Sequence, residues 1–180
     1  FCKNKKNLMI LEFGAGWGHW SLALKMNNYN VDAIENSNIR YKHIKKNNID
    51  VFKEIKNLKK KYHLIYSDQT FEHLNNPNEI LMNMKKILFK DGFIILKVPT
   101  AIFLKKKLNN NYKINKDEMI PFEHINAFKH STWKKMAYKN NLQIIYPWKF
   151  IDILSLYSIK RTLVDIFDFI LGKKIIMRKK

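Results

Sequence analysis

The sequence predicts an α/β fold: a mostly parallel, seven-stranded sheet covered by helices on both faces. Three observations predict it. Short, almost uninterrupted apolar runs alternate with segments of helical periodicity along most of the 180 residues. A glycine-rich turn, Glu12-Phe13-Gly14-Ala15-Gly16-Trp17-Gly18, separates the first run from the first helical segment. An acid, Glu35, closes the second run about 20 residues further on, the offset at which nucleotide-binding sheets place one.

The elements follow in order. Leu8 to Phe13 is nearly continuous in apolar residues, as a strand buried on both faces must be. His19 to Met26 carries Trp20, Leu22, Ala23 and Met26 at helical spacing, and Asn27-Asn28 breaks the pattern. Val31 to Ile34 is the second strand. Ser37 caps a helix over Asn38 to Asn47, and Ile49 to Phe52 is a third strand. Tyr62 to Tyr66 is the fourth. Asn76 then caps a helix with Pro77 in its first turn, where proline's missing N–H costs nothing. Ile80, Leu81, Met84, Ile87 and Leu88 form the apolar face of that helix, Asp91-Gly92 is its expected left-handed stop, and Phe93 to Val98 is the fifth strand. Residues 101 to 125 are polar, rich in lysine and aperiodic, which reads as a lid or acceptor loop. Ser131 is the expected cap of a helix over Thr132 to Lys139. Leu142 to Phe150, Ile153 to Leu171 with Gly172 as stop, and Lys174 to Arg178 read as strand, amphipathic helix and closing strand. Strict alternation of this kind requires right-handed crossovers and a Rossmann-like three-layer sandwich in a single domain over residues 1–180.

Composition narrows the function. Hydrophobic residues make up 46% and aromatics 13%, a globular composition. The single cysteine, Cys2, excludes an internal disulfide or a cysteine-rich metal site, so a reducing, cytoplasmic setting is expected. No apolar run approaches the length of a membrane span. The chain starts on Phe1 and enters its first strand almost at once, which suggests a missing N-terminal segment. The charge of +19, from 34 Lys plus Arg against 15 Asp plus Glu, raises the possibility of nucleic acid. The bases are nearly all Lys, with Arg only at positions 40, 161 and 178, whereas base and phosphate readers draw on the bidentate Arg fork. Lys, Asn and Ile are abundant everywhere, as expected from codons rich in A and T.

The glycine turn carries the chemistry. Glycines let the chain bend tightly and let a ligand approach the backbone, and the helix N-terminus behind them offers free N–H groups. Glu35 sits where a carboxylate can accept from two ribose hydroxyls. The spacing is Gly-x-Gly-x-Gly, not the Gly-x-Gly-x-x-Gly of dinucleotide binders. In this form the segment resembles the class I S-adenosylmethionine-dependent methyltransferases. The resemblance continues through Ile65-Tyr-Ser-Asp-Gln-Thr-Phe-Glu-His-Leu74 with Asn-Asn-Pro after it, through Leu88-Phe-Lys-Asp-Gly-Phe and the strand ending Val98-Pro99, and through Pro121-Phe-Glu-His-Ile-Asn-Ala-Phe, similar to small-molecule and polysaccharide-associated members. It spans about residues 8–150. His63 stands where the family often has Asp.

The resemblance implies S-adenosylmethionine as cofactor, methyl transfer to a small-molecule or saccharide-type acceptor, and no required metal. Residue by residue it implies that Gly14, Gly16 and Gly18 pack against the methionine and ribose parts, Glu12 faces the methionine ammonium, Glu35 holds the ribose, Glu54 lies near the adenine, and Ser67, Asp68 and Gln69 line the pocket by the methyl donor. Independently, Glu12, Glu35, Asp68 and Glu72 all fall at or beyond strand ends although acids are scarce. His73 and His124 are the candidate general bases, since an unperturbed imidazole is poised near neutral pH; each also has a structural reading as a packed or capping histidine. Trp17, Trp20, Trp133 and Trp148 read as core or pocket wall. Two rivals stand beside this reading: an RNA or DNA methyltransferase using the basic surface, and a non-catalytic cofactor-binding or membrane-peripheral protein using the amphipathic stretch Ile153 to Leu171.

Overall fold

The structure is a computed structural model that describes residues 7–101, 104, 123–146 and 173–180. Its strands are β1 (Met9–Phe13), β2 (Asn30–Ile34), β3 (Asp50–Phe52), β4 (Tyr62–Asp68), β5 (Leu88–Lys97), β6 (Leu142–Ile144) and β7 (Lys174–Lys179). The helices are α1 (His19–Met26), α2 (Asn38–Lys46), α3 (Pro77–Ile87) and α4 (His130–Lys139). The strands form one sheet in the order β3-β2-β1-β4-β5-β7-β6. β1 pairs in parallel with β2 and β4, and β4 with β5; β7 runs antiparallel to both β5 and β6. The mostly parallel, seven-stranded Rossmann-like sheet expected from the sequence is therefore present.

Alternation along the strands sends neighbouring residues to opposite faces. On β2, Ala33 joins a cluster with Ala15, Ile44, Ile49 and Val51, whereas Ile34 joins a larger one with Leu11, Phe13, Ile65, Leu81, Met84 and Trp133. One core thus lies under α1 and α2 and the other under α3 and α4, which gives the three layers. The chain leaves β1 toward β2 and β3, then returns to β4 on the other side of β1. That reversal opens a crevice beyond the carboxyl ends of β1 and β4.

Three helices stop by the same device. Asn27, Asn47 and Asn140 follow α1, α2 and α4, and the side-chain amide of each donates to the carbonyl four residues back, at 2.8, 3.0 and 2.8 Å. The next residue, Asn28, Asn48 or Asn141, takes a left-handed conformation with φ of 64°, 55° or 50°. Asparagine here fills the place glycine usually holds after a helix, because its short amide tolerates that region better than other side chains.

The structure corrects several expectations. α3 ends at Ile87 and the chain turns straight into β5 through extended Leu88, so Asp91-Gly92 is not a helix stop and Gly92 has no positive φ. The pairing jumps from Tyr62↔Leu88 to Leu64↔Phe93, so residues 89–92 bulge out of the ladder. Gly92 is needed there for close approach: a Cβ would lie 3.0 Å from the Tyr62 carbonyl oxygen. α4 starts at His130 after Lys129, with no side-chain cap, so Ser131 is inside the helix. Its start is set by packing instead, with Trp133 stacked on Phe128 at 4.3 Å while Phe128 bridges to Thr100. Trp17 is neither core nor wall; it is 46% exposed with its edge to His43. Trp133 is fully buried and Trp20 stacks on Tyr66 at 4.3 Å. His63 accepts the Met9 N–H at 3.1 Å, so an acceptor is retained where the family often has Asp. β6 is described as Leu142–Ile144. Of the expected loop over 101–125, residues 102–103 and 105–122 lie outside the described residues, as do Trp148, the expected helix Ile153 to Leu171 and Gly172.

If asparagine stands in for glycine after α2, Asn48→Gly raises stability by ~0.5–1 kcal/mol and Asn48→Ala lowers it by ~1 kcal/mol, read from urea unfolding midpoints. Equal midpoints for the two variants would contradict the conformational account.

Candidate functional site

The crevice at the switch point is a cleft of about 480 Å³ whose lining includes Glu12, Gly14, Gly16, Glu35, Arg40, Asp68, Gln69 and His73. Its floor is built by backbone. The Gly14 and Ala15 amides both donate to the Ile34 carbonyl, at 3.0 and 2.9 Å, folding the turn after β1 onto the end of β2. The Glu35 carboxylate then accepts from the Gly16 N–H through one oxygen and from the Ser37 N–H through the other, each at 2.8 Å. The glycine turn and the acid therefore meet, and the same carboxylate holds the start of α2, where Ser37 caps the helix by accepting from the Arg40 N–H.

The three turn glycines have different surroundings. Gly14, Gly16 and Gly18 all have positive φ, at 76°, 57° and 74°. A Cβ at Gly14 would run into the Thr70 side chain and one at Gly18 into Ile44, at 2.7 Å. Around Gly16 the corresponding space is open within 4 Å. Gly18 thus packs α1 against α2 and does not line the cleft, whereas Gly16 leaves room for a ligand against its backbone.

Glu12 closes one end. It is buried, and its carboxylate accepts from the Ser21 N–H at 3.0 Å and from the Ser21 hydroxyl. Loss of hydration pushes its pKa up to about 7; the Ser21 bonds oppose that, and Asp68 and Glu35 add to it. Asp68 is held by the Tyr66 hydroxyl at 2.7 Å and by Lys97 at 2.9 Å. Gln69 takes a left-handed φ of 49° with its amide bonded to the Lys97 carbonyl, turning the chain over the cleft. Ser67 does not reach the lining. On β4 it alternates with Asp68 to the other side and is buried there, its hydroxyl without a partner among the described residues. Glu54 lies in an adjoining recess of about 230 Å³ that shares Phe13, Ile34, Asn36 and Leu74 with the cleft, and it pairs with Lys56 at 2.6 Å.

Opposite the glycine turn, residues 123–126 fold back on the short 3-10 turn Phe71–His73. The Asn126 N–H donates to the Glu72 carbonyl at 3.0 Å and its side-chain amide to the Leu74 carbonyl at 2.6 Å. This brings the His73 and His124 rings together, centroids 4.9 Å apart. His73 Nδ1 lies 2.6 Å from the Glu123 carbonyl oxygen. Glu72 is fully buried beside them with its pKa raised, chiefly by that burial.

Arg40, Asn36, Thr70 and Leu74 also line the cleft and were not singled out from the sequence. Arg40 had a signal: it is one of three arginines, in the first turn of the capped helix that follows Glu35.

Residues 1–146 match the family model described as a methyltransferase domain. No curated protein matches the chain. Among solved structures, PKMT2 from Rickettsia typhi in complex with AdoHcy superposes with a TM-score of 0.65 at 14% identity, covering 98% of this chain and 49% of that one. The chain thus spans about half the length of PKMT2. The plantazolicin methyltransferase BamL, in complex with a triazolic desmethylPZN analog and SAH, superposes at 0.65 with 16% identity, covering 96% and 77%. Magnesium protoporphyrin IX methyltransferase from Synechocystis PCC 6803 with bound SAH gives 0.60 at 15% identity, covering 79% and 67%.

The raised pKa of Glu12 has a consequence for stability. The native state holds this proton more tightly than the unfolded chain, so the contribution of Glu12 is most favourable below about pH 4.5 and is lost as the pH climbs through about 7. Glu12→Gln is expected to be more stable than the parent at pH 8, by up to ~3 kcal/mol, with the gap closing toward pH 4.5. Unfolding curves across that range check it, and a gap that widens on acidification would refute the burial account.

The family match over most of the chain and the geometry of the sheet lead to one statement: the chain belongs to the methyltransferase-domain family and has the fold of the class I enzymes that use S-adenosylmethionine.

Proposed function

We propose that this chain transfers the methyl group of S-adenosylmethionine to a small-molecule or saccharide-type acceptor. The observation that carries the reading is the Gly16 amide on the Glu35 carboxylate at the floor of the cleft. Two of the roughly four acceptor positions of that carboxylate are taken by amides, which leaves capacity for a ribose diol. The open space at Gly16 admits the nucleoside against the backbone. Glu12, buried and easily deprotonated near neutral pH, suits the ammonium of the methionine part, and the recess by Glu54 lies where the adenine would extend.

When bound, S-adenosylmethionine supplies a methyl group already activated by the positive sulfonium. The protein's part is alignment. Holding two reacting atoms in near-attack geometry contributes roughly 7–11 kcal/mol, and Asp68 and Gln69 border the space where this takes place. An acceptor that must lose a proton meets His73 at the cleft wall, with His124 against it. The small-molecule reading is supported by neighbours of the same fold whose names specify plantazolicin and magnesium protoporphyrin IX.

Calorimetry with S-adenosylhomocysteine tests the cofactor assignment. Glu35→Ala is expected to weaken binding about tenfold or more, the loss of charge-assisted hydrogen bonds; wild-type affinity in that variant would defeat the proposal. Near pH 7 Glu12 is about half protonated, so an ammonium placed beside it should expel about half a proton, seen as a binding heat that depends on the buffer's ionisation enthalpy. Heat independent of buffer would detach Glu12 from the ligand.

A further inference from the structure

We propose that Glu72, His73 and His124 form a binding site for one divalent transition-metal ion at the edge of the cleft. One carboxylate oxygen and one ring nitrogen from each histidine lie within 4.8 Å of one another. Glu72 Oε1 is 4.0 Å from His73 Nε2. An ion with bonds of about 2.0–2.2 Å needs such donors about 3–3.5 Å apart, so the three side chains must draw together on binding.

The protonation pattern points the same way. The Glu123 carbonyl can only accept, so His73 Nδ1 donates to it, and in the neutral ring this leaves a lone pair on Nε2 facing the Glu72 carboxylate. A positive charge between these two acceptors, a metal ion or a proton, relieves their repulsion. The second ring nitrogen of a metal-bound histidine is typically fixed by a carbonyl in this manner. Glu72 is 1% exposed, and among the described residues neither of its carboxylate oxygens has a hydrogen-bond partner. His124 Nδ1 is also buried without a partner among the described residues. A buried acceptor set this poorly satisfied is costly unless a positive charge enters it. The Asn126 bonds across the Phe71–His73 turn hold the donors together although they are 51 residues apart in sequence.

Two imidazoles and one carboxylate suit Zn²⁺, Mn²⁺, Fe²⁺ or Co²⁺ better than the all-oxygen preference of Mg²⁺ or Ca²⁺. Three protein ligands leave open positions, and His73 lines the cleft, so an acceptor hydroxyl is the natural further ligand. The ion takes up the His73 lone pair and instead eases loss of the acceptor's proton to solvent. That use rests on the methyl-transfer reading above; the binding of the ion does not.

The test uses the whole chain without a polyhistidine tag, stripped with EDTA and titrated calorimetrically with Zn²⁺, Mn²⁺ and Co²⁺, the last also followed by its visible absorption. One ion per chain is expected, with affinity falling at least tenfold in Glu72→Gln and in His124→Ala while S-adenosylhomocysteine still binds both. His124→Gln serves if the alanine variant fails to fold. No uptake by the wild-type chain, or uptake unchanged in folded variants, overturns the site. Metal uptake without S-adenosylhomocysteine binding would sink the cofactor assignment and leave the site standing; the reverse result would sink only the site.

Discussion

The Glu35 carboxylate ties together three pieces of chain: the tip of the glycine turn, the end of β2 and the first turn of α2. Its geometry depends on the parallel register that sets Phe13 opposite Ile34, because only then do the Gly14 and Ala15 amides reach the Ile34 carbonyl and the Gly16 amide reach the carboxylate beyond it. A slip of one residue would send the Glu35 side chain to the other face of the sheet. The two hydrophobic clusters, which take Ala33 and Ile34 to opposite sides, make such a slip expensive. Core packing therefore sets the position of the Glu35 carboxylate.

Among the described residues four acids are buried, and three of them, Glu12, Glu35 and Glu72, lie at the carboxyl edge of the sheet. In a chain with more than twice as many basic as acidic residues, that placement gathers carboxylates at the one edge where the sheet opens a crevice. The three are supported differently. Backbone amides satisfy Glu35, a buried serine only partly offsets the desolvation of Glu12, and the charges of His73 and His124 partly offset that of Glu72. The fourth acid, Asp32, sits at the opposite edge with Tyr62 and Lys60, where it ties strands together. Buried carboxylates gathered at one edge of a sheet are a physical mark of a functional region, and here they coincide with the switch point.

Legibility varied with the range of the interaction. Helix α1 has the bounds its apolar spacing gave, and Ser37 and Asn76 cap α2 and α3 as their types suggest, because caps and periodicity are local properties. The stop of α3 and the start of α4 were misread for a complementary reason. Gly92 answers to the Tyr62 carbonyl on a neighbouring strand, and α4 is anchored by Trp133 on Phe128, so a residue type that normally signals a terminus had been recruited elsewhere. The places of Ser67 and Gly18 likewise follow from strand alternation and from Ile44, neither of which a motif encodes.

By itself the sequence determined the layered α/β architecture, the glycine turn and its partner acid, since buried parallel strands, tight turns and helix caps each demand particular residue types at short spacing. Only the tertiary structure decided which carboxylates are desolvated, that Glu54 belongs to a side recess, and that His124 lies against His73. Those outcomes depend on contacts between residues dozens of positions apart, whose distances follow from packing and strand register and leave no periodic trace in the chain.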